Sequence, residues 1–261
     1  MRKASYAGKF YPADKKELKE LINSFKKPEK KEKAVGIIVP HAGYLFSGNT
    51  ASLVYSSIKQ DFETVIVFGA DHTGIGNCVS LEDFETPLGV IEDDKEISAE
   101  ISKFVKTSNF EKEHSVEVQL PFVQTYFKNI KIVPMIISSG NYKELAEKIF
   151  SVIKKSRGKV LVVASSDLTH FGHYYGFTRG DDRDVKDIDK KVIDKILKLD
   201  IEGFIEEARK TTVCGTGAIS VCMEICKLLK ARKAKLLDYS TSADVSGNTD
   251  AVVGYAGIIL T

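Results

Sequence analysis

The sequence predicts an α/β protein, a single domain over residues 1–261 with a largely parallel central sheet flanked by helices. Three observations carry that expectation. Short apolar runs alternate with amphipathic stretches of helical spacing along the chain. Polar, glycine-containing clusters follow several of the apolar runs, and no shift in composition or low-complexity linker marks a second domain.

In order, 15–25 reads as a helix and 26–33 as a lysine-rich solvated connector containing Pro28. Residues 35–39 read as a strand, 49–58 as a helix, 64–68 as a strand and 78–81 as a short one. Helical spacing covers 97–105 and 115–127, with a strand at 132–137. Residues 142–154 follow as a helix, and 160–164 is the strongest strand pattern in the chain. Helices are expected over 188–199, 201–210 and 218–230, and strands over 235–239 and 251–259. The acidic stretch Asp181-Asp182-Arg183-Asp184 lacks the calcium-loop spacing of oxygen ligands and glycine and reads as a solvated loop.

Composition excludes several functional classes. Thirty-eight basic residues nearly balance 36 acidic ones, so a formal charge of +2 calls for neither nucleic acid nor an anionic membrane as partner. No apolar run approaches the ~20 residues of a membrane span, and no signal-peptide core is visible. Four scattered cysteines are too few for a disulfide framework, which favours the reducing cytoplasm. Gly69, Gly74 and Gly76 do not make a dinucleotide fingerprint, and neither a Walker loop nor a Gly-x-Ser-x-Gly elbow occurs.

Three histidines occupy equivalent places in the alternation. The runs at 35–39, 64–68 and 160–164 lead into Pro40-His41-Ala42-Gly43-Tyr44, Gly69-Ala70-Asp71-His72 and Ser165-Ser166-Asp167-Leu168-Thr169-His170. In an open parallel sheet the carboxyl ends of the strands form one ligand-binding edge, so His41, His72 and His170 are expected to share a crevice. One histidine in such a place is ordinarily structural; three in equivalent places favour a site. Cys214, in Val213-Cys214-Gly215-Thr216-Gly217, lies between helical stretches, where a lowered pKa would suit a nucleophile or a soft metal ligand. Cys222 and Cys226 share an apolar helix face and read as core. His114 either adds a polar group to the crevice or, with Ser115, opens the following helix.

These motifs, in this order, resemble the Memo family: Ala7-Gly8-Lys9-Phe10-Tyr11, Pro40-His41-Ala42-Gly43-Tyr44, Asp71-His72, Glu113-His114-Ser115, Ser165-Ser166-Asp167 with His170, and Val213-Cys214-Gly215. The resemblance spans residues 4–259. Prokaryotic members are component B of the AmmeMemoRadiSam system, which implies radical-SAM and AMMECR-type protein partners. The resemblance also implies a LigB-like fold, that of the class III extradiol dioxygenases. In that superfamily two histidines and a carboxylate hold Fe(II), and a further histidine is the acid/base. Carried onto this chain, His41 and His72 match the two histidine ligands and Cys214 takes the place of the carboxylate. His170 matches the acid/base, and Asp167 orients or charge-tunes the cluster. Phe10 stands where animal members carry tryptophan in a proposed phosphotyrosine-peptide pocket. With His114, Asp71 and Tyr44 it is expected to wall the site or bind ligand.

A thiolate with two imidazoles suits copper or zinc as well as Fe(II). The leading expectation is a non-haem iron or copper redox protein, dioxygenase-related. The alternatives are a metal-free cysteine nucleophile using Cys214 with His170 and Asp167, and a non-catalytic module binding a phosphorylated or carboxylated small molecule or peptide.

Overall fold

The computed structural model describes residues 1–59, 62–138, 140–156, 158–178 and 185–261. The acidic stretch at 181–184 lies outside the described residues. The strands are β1 (Gly36–Val39), β2 (Thr64–Ala70), β3 (Cys78–Val79), β4 (Phe84–Thr86), β5 (Gly89–Ile91), β6 (Lys106–Thr107), β7 (Lys131–Ile137), β8 (Val160–Ser165), β9 (His170–Gly172), β10 (Ala234–Thr241) and β11 (Ala251–Leu260). The helices are α1 (Lys15–Ser24), α2 (Tyr44–Ser57), α3 (Lys95–Ile101), α4 (Leu120–Tyr126), α5 (Tyr142–Lys155), α6 (Val185–Leu197), α7 (Ile201–Ala208), α8 (Thr216–Leu228) and α9 (Ser242–Ser246). Two 3-10 turns, Glu117–Gln119 and His173–Tyr175, complete them.

The main sheet runs β10-β11-β1-β8-β2-β7-β3-β6, with β9 added on β11. Its centre is parallel, β1 with β8, β8 with β2 and β2 with β7. The antiparallel pairs are β11 with β1, β10 and β9, and β3 with β7. With β3 and β6 also parallel, the sheet is mixed, parallel at its centre and antiparallel toward β10, and flanked by helices. Strand propensity alone located β10 and β11 but carries no information on direction, so their antiparallel pairing was not foreseen.

Every residue of the four central parallel strands except Lys131 is buried, which explains their near-continuous apolar character. The period-two alternation of each strand serves two cores. Ile38, Ile66, Phe68, Val133 and Val162 meet Ile149 of α5, Val192 and Ile196 of α6, Phe204 of α7 and Ile219 of α8. Ile37, Val39, Val65, Val67 and Val163 meet Leu18 and Ile22 of α1, Val54 and Tyr55 of α2, and Phe122 of α4.

Two departures from the sequence expectation matter for the site. Helix α2 begins at Tyr44 rather than at Asn49, directly after the His41 loop. Its internal Gly48 admits the Phe25 ring, whose Cζ stands 2.6 Å from where a Cβ would lie. The helix expected over 115–127 is a 3-10 turn followed by the short α4, with Pro121 in its first turn. Proline suits a helix start and not a helix interior, so His114 and Ser115 precede the turn in irregular backbone. The β4–β5 hairpin, β9 and α9 were also absent from the sequence expectation.

The 113–119 segment is fixed by a buried ion pair. Glu117 meets the Arg2 guanidinium, with both side chains almost sealed from solvent. The same carboxylate accepts from Ser5 N, Tyr6 N and the Tyr11 hydroxyl. Arg2 also donates to the carbonyls of Phe110 and Glu113. Removing one member of such a pair leaves an uncompensated buried charge, so Arg2→Leu is expected to lower stability by about 3–5 kcal/mol. Equilibrium denaturation measures this, and a loss below about 1 kcal/mol would show that the pair is not an anchor.

Candidate metal centre

Strand register brings the polar loops level. Val39 pairs with Ser165 and Phe68 with Ala164, while Ala70 pairs with Ile137. Three parallel strands, β1, β2 and β8, thus end together, and the next residues of each are Pro40-His41, Asp71-His72 and Ser166-Asp167. Cys214 arrives from the loop before α8. Gly215 lets that loop press on β8's end, since a Cβ there would stand 2.5 Å from Ser166 Cβ, and its amide donates to Ser166 Oγ at 2.9 Å.

His41, His72 and Cys214 each place a ligand atom within 4.8 Å of the other two. Cys214 Sγ lies 3.2 Å from His41 Nε2 and is also close enough to the His72 ring to interact with it. His41 is 2% exposed, and Cys214 is half-buried. The far nitrogen of each imidazole is occupied: His72 Nδ1 meets Glu113 Oε1 at 3.0 Å, and His41 Nδ1 meets Ser165 Oγ at 3.1 Å. With Nδ1 of each ring engaged, Nε2 is the nitrogen left for a ligand, and that of His41 faces the sulfur, the arrangement of metal-binding histidine with an outer hydrogen-bond partner.

Glu113, which the sequence expectation gives no role, stands behind His72. Fully buried, it accepts from the His72 amide at 3.0 Å and the Ser115 amide at 2.8 Å as well as facing His72 Nδ1. Its signal was present but weak: an acid beside a histidine just ahead of an apolar segment.

The electrostatics follow from burial and these contacts. Burial and the neighbouring histidines hold the His41 pKa well below 6.5. Burial also opposes charge on His72, but hydrogen bonds and charge from Cys214 and Glu113 outweigh it and raise the pKa to about 10. Glu113 shows the converse, drawn down to about 2 by His72 despite its burial. Burial and the nearby His72 bring His114 down to about 4. Burial raises the Cys214 thiol above 9.0, so the lowering expected from its place before a helix does not prevail.

The other expected site residues divide into two groups. His114 lies at the centre, its ring 4.7 Å from His72, 5.3 Å from His41 and 4.6 Å from Phe10, with Tyr6 at 5.4 Å. Asp167 Oδ1 accepts from the His41 and Ala42 amides at 2.7 and 3.2 Å, and burial raises its carboxyl pKa. His170 opens β9, its ring 5.2 Å from Tyr175. Its Nδ1 faces the carbonyls of Leu168 and Thr212, at 3.1 and 3.3 Å. Carbonyls only accept, so Nδ1 carries a proton and Nε2 is the basic nitrogen. Tyr44 and Asp71, by contrast, do structural work. Tyr44 stacks on Phe122 in the core and donates to the Val118 carbonyl, while Asp71 accepts from the Ile75 and Gly76 amides and shapes its own loop. Cys222 and Cys226 are fully buried in the core.

A family model described as Memo-like protein matches residues 2–259. A MEMO1 family protein of Pyrococcus abyssi is 36% identical over 288 residues, covering 100% of this chain and 99% of that protein. Similar proteins of Methanosarcina barkeri and Nitrosopumilus maritimus are each 38% identical, covering 100% and 99% of this chain and 100% and 98% of their own lengths. Among solved structures, an uncharacterized protein of Escherichia coli K12 is similar with a TM-score of 0.52 at 9% identity, covering 87% of this chain and 100% of that one. That likeness concerns the fold alone. Among the described residues, no helix is long and apolar enough to cross a membrane.

The proton inventory of the donors is directly measurable. Near neutral pH both His72 and Cys214 hold protons that a cation must displace. Uptake of a divalent cation is therefore expected to release about two protons. Affinity should climb as pH rises from neutral toward the His72 value of about 10. Calorimetric titration in buffers of differing ionisation enthalpy reads this number, and release near zero would mean the donors are already deprotonated.

Proposed function

The chain belongs to the Memo family, and from that premise we propose that it is a metal-dependent redox protein holding Fe(II) or copper between His41, His72 and Cys214. The observation that carries the reading is the convergence of two imidazoles and a sulfur within 4.8 Å, each imidazole already oriented from behind. This donor set fits a borderline-soft ion, iron or copper with zinc also accommodated, and would leave coordination positions for a ligand. Such an ion would supply electron exchange and polarisation of a bound ligand. The chain's own part is to hold the donors, to exclude water with the Phe10, Tyr6 and His114 rings, and to accept a proton at His170 Nε2.

The same reading assigns the fold to the LigB-like extradiol dioxygenase class, with Cys214 in the place of the carboxylate ligand. It also includes radical-SAM and AMMECR-type proteins as partners, on the family resemblance. The metal-free nucleophile is less well supported. Its thiol would need a lowered pKa and His170 as its base, whereas burial raises the Cys214 pKa and the sulfur meets His41 and His72 instead.

Protein purified without a histidine tag and reconstituted anaerobically is expected to bind about one equivalent of iron or copper. Cobalt(II) loading should give a sulfur-to-metal charge-transfer band that disappears in Cys214→Ser. A protein that takes up neither iron nor copper overturns the proposal. His170→Ala should keep the metal while oxygen consumption with a catechol or another electron donor falls by about 10²–10⁴-fold.

A further inference from the structure

The two imidazoles of the centre are held by chemically different groups, and the group behind His41 has a proton count that can be closed. Ser165 Oγ, fully buried at the end of β8, has three polar neighbours: the Ser115 carbonyl at 2.6 Å, Gln119 Nε2 at 2.8 Å and His41 Nδ1 at 3.1 Å. A hydroxyl has one hydrogen and two lone pairs.

The Gln119 amide is oriented by two further contacts. Its nitrogen lies 2.8 Å from the Pro40 carbonyl, which only accepts, and its oxygen receives the Tyr55 hydroxyl at 3.2 Å. Gln119 therefore donates to Ser165. The Ser115 carbonyl cannot donate, and an oxygen–oxygen distance of 2.6 Å needs a hydrogen between the atoms. Ser165 must spend its single proton there. One lone pair takes Gln119, and the other is left for His41, whose Nδ1 must then be the donor.

We infer that Ser165 is the positioning residue that fixes His41 in the Nδ1–H tautomer, with the Nε2 lone pair directed at Cys214, and that Gln119 holds the serine in that role. This rests on the metal reading above for its purpose but not for its geometry. The partner of His72 is an acid and the partner of His41 is a hydroxyl whose proton is committed elsewhere, so the same outcome is reached by two routes. An unpartnered neutral imidazole in water favours the opposite tautomer, with the proton on Nε2. The Ser165 backbone carbonyl also lies against the His41 ring, so without the hydroxyl the Nδ1–H tautomer would keep only that weaker hold and the lone pair would turn away from the metal position in part of the population.

The test is heteronuclear NMR of metal-free protein labelled with [15N]histidine, in which the ring nitrogen shifts report the tautomer of His41 directly. The native protein is expected to show Nδ1–H almost exclusively. Ser165→Ala should shift the population toward Nε2–H and weaken iron(II) or cobalt(II) binding about 10–100-fold in a competition with a chromophoric chelator. Ser165→Thr, which restores the hydroxyl, should recover both. Gln119→Met, which leaves the serine unheld, should give a mixed population, and it keeps the inference testable if Ser165→Ala does not fold. A native His41 with its proton on Nε2, or a tautomer unchanged in both Ser165→Ala and Gln119→Met, overturns the inference. Failure to bind metal with the native tautomer as expected would instead count against the metal reading alone.

Discussion

The buried carboxylate of Glu117 is the fixed point on which the centre depends. It binds the N-terminal stretch through Arg2, Ser5, Tyr6 and Tyr11. The Glu113–Gln119 segment, too short and too irregular to stand alone, is thereby pinned over the sheet edge. Residues of that segment then serve the centre in turn. Glu113 fixes His72, the Ser115 carbonyl takes the Ser165 proton, and Gln119 holds Ser165. The N-terminal stretch contributes as well, since the same anchor sets the Tyr6 and Phe10 rings beside His114. A charge pair of this kind adds little net stability over an apolar substitute, but it specifies one arrangement and makes any other costly.

Buried charge is tolerable here because each group has a defined partner. Four donors meet Glu117, three nitrogens of residues 72 and 115 meet Glu113, and backbone amides of residues 41 and 42 meet Asp167. Such groups would cost several kcal/mol each if left bare. Their price is rigidity: no single one can change without stranding another. That would suit the proposed metal centre, which requires donors held in a narrow range of positions.

Much of the fold was legible in the sequence because the central strands are buried on both faces and read as unbroken apolar runs. The strand-end histidines were legible for the same reason, since the loop following a strong strand is easily placed. Cys214 was different: spacing made it a reactive candidate, and only the family resemblance joined it to His41 and His72. Glu113 and Ser165 were not legible as partners at all. Their contacts link residues 41 and 124 positions apart, and such pairings exist only once the strand register is set. Tyr44 shows the limit from the other side. Its place in a motif beside His41 suggested the site, but the early start of α2 turns its ring into the core.

The distinct partners of the two imidazoles also bear on charge. A divalent cation with the Cys214 thiolate and the Glu113 carboxylate would sum to neutral, so the proposed centre could form in a half-buried setting without stranding net charge. Had Ser165 also been an acid, the same set would carry a net negative charge and would hold a more highly charged ion preferentially. The hydroxyl at that place leaves balance of any further positive charge to Asp167, whose carboxylate grips the His41 and Ala42 amides. On this argument the neutral residue behind His41 leaves the acid behind His72, with the Cys214 thiolate, to set the charge that a divalent ion would balance in the proposed centre.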